Sequence, residues 1–128
     1  MNGGGEIRGQ IIRSTEQLFI ARLDGLQQTP PNTNTSTGAA GVIVTTATGA
    51  AKYQARWDGA DFVTTMAHIH QGGPGASGPV VLGFVTDGGT SVAGSGTITG
   101  WPADGGYYVN VHSEDAGNGI IRGALIKQ

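Results

Sequence analysis

The stretch AKYQARWD (Ala51–Asp58) sets Tyr53, Ala55 and Trp57 at alternate positions, with Lys52, Gln54 and Arg56 between them. Successive side chains of an extended chain point to opposite faces, so this pattern belongs to a strand with one face buried and one wet. Nothing in the chain repeats convincingly with the 3.6-residue period of a helix. Period-two segments recur instead, bounded by Gly, Pro, Asn and Asp. They predict strands near Glu6–Ile12, Leu18–Leu23, Ala40–Thr46, Lys52–Trp57, Phe62–His70, Val80–Val85, Ser91–Thr99, Tyr107–His112 and Ile120–Ile126. Asp-Gly pairs at Asp24, Asp58, Asp87 and Asp104 and the loop QTPPNTNTSTG supply turns between them. The expected fold is all-β: an antiparallel, Greek-key-like β-sandwich or barrel of about eight or nine strands.

Composition narrows the function classes. A chain of 128 residues holds one core. Its formal charge of −2 and seven scattered basic residues make no patch for nucleic acid or an anionic membrane. No apolar run approaches the length that crosses a bilayer, and the opening MNGGGEIRGQ lacks the apolar stretch of a secretory signal. With no cysteine there is neither a disulfide framework nor a thiolate ligand.

One pattern occurs twice. GEIRGQI (Gly5–Ile11) matches GIIRGAL (Gly119–Leu125) in Gly, Ile, Arg and Gly, 114 residues apart, about one domain length. Residues 1–13 are therefore expected to resemble the last strand of a preceding tandem repeat, and residues 14–128 to form one β-domain.

All three histidines fall in two predicted strands, TTMAHIHQ and YYVNVHS. In the first, Ala67 and Ile69 alternate with Met66, His68 and His70; in the second, Val109 and Val111 alternate with Tyr108, Asn110 and His112. If the aliphatic sets face the core, the three imidazoles project from the outer sheet face and are neighbours when the strands pair. His-x-His on a strand places two imidazoles on one side, with α-carbons roughly 6–7 Å apart, and a third ring completes a three-nitrogen set suited to copper or zinc. The affinity order favours copper, and the Met66 thioether adds a soft candidate ligand. Tyr108 and Asn110 are candidates for orienting the rings, and Glu114 or Asp115 for an added oxygen ligand.

FIARLDGLQQTPPNTNTSTGAAG (Phe19–Gly41), AHIHQGGPGASGPVV (Ala67–Val81), YYVNVHS (Tyr107–Ser113) and GIIRGAL (Gly119–Leu125) occur in the order found in the chordin-like (CHRD) domain family, which the chain resembles across Leu18–Gln128. Ser113 and Ile120 depart from the family's usual Thr and Glu. The resemblance implies an extracellular β-sandwich module, often repeated within larger secreted or surface proteins, with no defined activity. A weaker likeness to copper–zinc superoxide dismutase rests on His-x-His followed by a later strand histidine. That likeness lacks a fourth copper histidine, a zinc cluster and a cysteine pair.

No Ser/His/Asp relay is available, because Ser113 and His112 are adjacent on a strand and point apart. GGPGASG (Gly72–Gly78) lacks the Lys-Ser/Thr of a phosphate loop and is expected to be a mobile flap beside the histidines. The reading is a non-catalytic extracellular, periplasmic or cell-surface module that binds copper, or alternatively zinc, through His68, His70 and His112. Its expected partners are the metal ion, neighbouring repeats and a second copy in a homodimer. The alternatives are a structural or adhesive repeat without metal and, last, a dismutase-like copper enzyme.

Overall fold

In a computed structural model that describes residues 13–58, 63–114 and 116–128, the period-two segments form nine strands and the described residues contain no helix. In chain order these are β1 (Glu16–Leu23), β2 (Gly38–Thr45), β3 (Ala50–Trp57), β4 (Thr64–Gln71), β5 (Val80–Phe84), β6 (Ser91–Thr97), β7 (Tyr107–Ser113), β8 (Ala116–Ala124) and β9 (Ile126–Lys127). They build two antiparallel sheets, one ordered β6-β3-β2-β1-β9 and the other β5-β4-β7-β8. The fold is a β-sandwich.

The alternation read from the sequence fixes which face is buried. Tyr53, Ala55 and Trp57 are buried while Lys52, Gln54 and Arg56 are exposed. The core joins Leu23, Val42, Val44 and Trp57 of the first sheet to Ile69, Val109, Val111 and Ile121 of the second. Burial of such side chains stabilises the fold by about 1.5–3 kcal/mol each.

Two expectations change. The single strand foreseen over Ile120–Ile126 divides, because the chain changes sheets there: β8 pairs with β7, and β9 pairs with β1 through Ile20↔Ile126 and Phe19↔Lys127. Gly123 makes this passage possible, since a Cβ there would overlap the Arg22 carbonyl. The alternation expected through Phe62–His70 breaks at a bulge between Thr64 and Met66. Thr64 turns inward, where its hydroxyl accepts the Trp57 indole N–H at 2.9 Å, and Val63 and Thr65 are exposed. Beyond the bulge the expected parity holds. The strand foreseen at Glu6–Ile12, like Phe62, lies outside the described residues.

Leu23 is 1 % exposed and Leu26, three residues on, is 73 % exposed. Leu23→Ala should lower unfolding free energy by about 2–5 kcal/mol, and Leu26→Ala by no more than about 0.5 kcal/mol, in urea denaturation.

Candidate metal centre

β4 and β7 pair in the register Met66↔His112, His68↔Asn110 and His70↔Tyr108. Ala67, Ile69, Val109 and Val111 enter the core, so the residues between them project from the opposite face. His68, His70 and His112 come together there, with one nitrogen of each ring within 4.8 Å of the others. Ring centroids lie 5.4 Å apart for His68–His70, 5.0 Å for His68–His112 and 6.0 Å for His70–His112. A metal–nitrogen bond of about 2.0 Å asks the rings to close in by roughly 1 Å or less.

This face is not open surface. His70 is 9 % and His112 7 % exposed, and every residue of β7 is buried. The loop at 72–79 lies against His70 and is pinned in place. His70 Nδ1 lies 2.9 Å from the Gly78 carbonyl oxygen, and the Gly78 N–H donates to the Tyr108 hydroxyl at 3.0 Å. Arg122 donates to the carbonyls of Gly73 at 2.9 Å and Ala76 at 2.6 Å. The expected mobile flap is thus a tied one. The histidines do project outward, as expected, but with His70 and His112 buried, which the strand pattern gave no hint of.

The same loop also selects the tautomer of His70. A carbonyl oxygen only accepts, so Nδ1 carries the proton and Nε2 keeps its lone pair. His70 Nε2 and His68 Nδ1 are both buried without a hydrogen-bond partner. Burial, reinforced by His112 and then His70, pushes the His68 pKa down to about 4. Burial also lowers that of His70, against the Gly78 bond and with help from Arg122. Both rings are therefore neutral at physiological pH, the form in which imidazole binds metals.

A profile of the CHRD domain matches residues 19–125, a span that holds all three histidines and Arg122. The chain belongs to the CHRD domain family. No curated protein and no solved structure matches it. CHRD domains occur in extracellular or secreted proteins.

Within this CHRD domain the other candidate residues separate. Met66 lies opposite His112 on the histidine face and is half-exposed. Tyr108 acts on His70 by stacking, at 4.8 Å and 7°, rather than by hydrogen bonding to it. The Arg122 guanidinium covers the Tyr108 ring at 3.5 Å, so Arg122, Tyr108 and His70 form one column. Asn110 is buried beside them, and its Oδ1 accepts from Gln28 Nε2 at 2.9 Å. Glu114 is exposed in the turn after β7 and does not join the histidine cluster; Asp115 lies outside the described residues. Gln28 and the Gly78 carbonyl had no sequence signal, because each acts through a loop whose position depends on the whole fold.

The lowered pKa of His68 sets a pH dependence. Between pH 6.5 and about 4 the unfolded chain takes up a proton that the folded ring refuses. Stability of the metal-free domain should therefore decrease as the pH is lowered through this window, by about 1–2 kcal/mol once solvent screening of the half-buried ring is allowed for. Urea denaturation at about pH 7 and about pH 4.5 measures this, and His68→Gln should make the fall smaller.

Proposed function

We propose that this CHRD domain is a non-catalytic extracellular, periplasmic or cell-surface module that binds a copper ion through His68, His70 and His112. The observation that carries the reading is the meeting of three imidazoles within 4.8 Å, two of them with buried, unpartnered ring nitrogens. An unpaired buried nitrogen costs about 1–3 kcal/mol, and an ion that accepts its lone pair removes that cost. Copper is preferred to zinc because imidazole sites follow the general affinity order and Met66 offers a soft sulfur on the same face. Burial of His70 and His112 argues against histidines that serve only as surface polar groups in an adhesive repeat.

Titration of the metal-free domain should show about one equivalent of copper bound at neutral pH, and a hundredfold excess over Kd should raise stability by about 2.7 kcal/mol. The double variant His68→Ala/His70→Ala should abolish both effects. Unchanged copper affinity in that variant would remove these residues from the site.

A second reading, that the domain is one unit of a tandem array, is supported by what β8 requires. Ile121 is fully buried, and the Arg122 guanidinium fills the column over Tyr108. Gly119 has φ +103° and no room for a Cβ against Asn110, and Gly123 has none against Arg22. Those four demands are met in the same order by Gly5, Ile7, Arg8 and Gly9, and Ile12 and Arg13 continue the match to Ile126 and Lys127. Residues 5–13 would then be the β8–β9 strand of a preceding unit, joined to β1 through Ser14 and Thr15 alone. Writing that sequence into β8–β9 (Ile120→Glu, Ala124→Gln, Leu125→Ile, Lys127→Arg) should leave a cooperatively folded protein with the same copper affinity. Loss of folding or of the site would show that the N-terminal segment is no β8.

A further inference from the structure

Among the described residues the charge around the candidate metal centre does not balance. The ligands are neutral imidazoles, and among the described residues no carboxylate joins their cluster. Next to them lies Arg122, only 3 % exposed. Its hydrogen bonds go to the Thr29 hydroxyl and the Gly73 and Ala76 carbonyls, all uncharged acceptors. No carboxylate among the described residues pairs with it. A divalent ion and a guanidinium then share one pocket, where an uncompensated charge is costly.

The same pocket contains space. A cavity of about 210 Å³ is walled by His70, His112 and Arg122 together with Tyr108, Asn110 and Gln28. Two of the three ligands and the Arg122 guanidinium thus border one polar void, large enough for a small ion with water. Three protein ligands also leave a coordination position open.

We propose that this cavity takes a small inorganic monoanion, bound to the ion at the open position and held on its other side by Arg122. The inference rests on the metal reading above and adds to it the ligand class that the site admits. The anion supplies the negative charge that the described residues do not place there. By linkage it also tightens the hold on copper by the factor by which copper tightens the hold on the anion.

Azide is a suitable probe. Added to the copper(II)-loaded full chain, it should produce a single saturable charge-transfer absorbance. Arg122→Gln should weaken azide by about tenfold or more, read on the copper-loaded fraction of the variant. Arg122 also grips the loop at Gly73 and Ala76, so a second variant isolates the charge. Arg122→Lys keeps the positive charge and loses that grip, and should stay within about threefold of the original azide affinity. Equal loss in the Gln and Lys variants, or no azide response in protein that has taken up copper, overturns the inference alone. Protein that takes up no copper overturns the metal reading and this one with it.

Discussion

The antiparallel pairing of β4 with β7, in a single register, is the constraint on which the candidate site depends. Met66 faces His112, His68 faces Asn110 and His70 faces Tyr108. A slip of one residue would carry the imidazoles into the core and Ile69 and Val111 into the polar pocket. The core holds the register: Ala67, Ile69, Val109 and Val111 are all fully buried. Packing on one face of the sheet thereby positions the polar cluster on the other. The bulge at Thr64–Met66 absorbs a change of parity before the histidines and leaves their alignment intact.

The second organising element is Arg122. Its guanidinium lies on Tyr108, whose ring stacks on His70, and its N–H groups hold the loop that lies against His70. A long cationic side chain on β8 thus links the strand next to β7 with that loop. The Asp24↔Arg122 bridge, with backbone bonds of 3.0 and 2.9 Å, ties the same residue to the end of β1. One residue therefore connects both sheets, the loop and the histidine cluster. Burial keeps His68 and His70 neutral, the form in which imidazole can bind a metal ion, while the guanidinium opposes added positive charge. The anion proposed above would reconcile the two effects.

The extent of what was legible in the sequence follows from the range of each interaction. Alternation in Ala51–Trp57 is local, and it correctly assigned the buried face of β3. The same reasoning placed the histidines on the face away from the core. It missed the inward turn of Thr64, which depends on the indole of Trp57. It also missed the division between β8 and β9, which depends on a second sheet waiting at β1.

By itself the sequence determined the fold class and the pairing of chemistry with face, because strand periodicity and turn residues act over a few positions. Tertiary structure alone decided that His70 and His112 are buried, that Gly78 sets the His70 tautomer, and that Gln28 and Arg122 share a cavity with His70 and His112. Those contacts join residues tens of positions apart through loops. Their geometry is set by the packing of the whole sandwich, which no local pattern encodes.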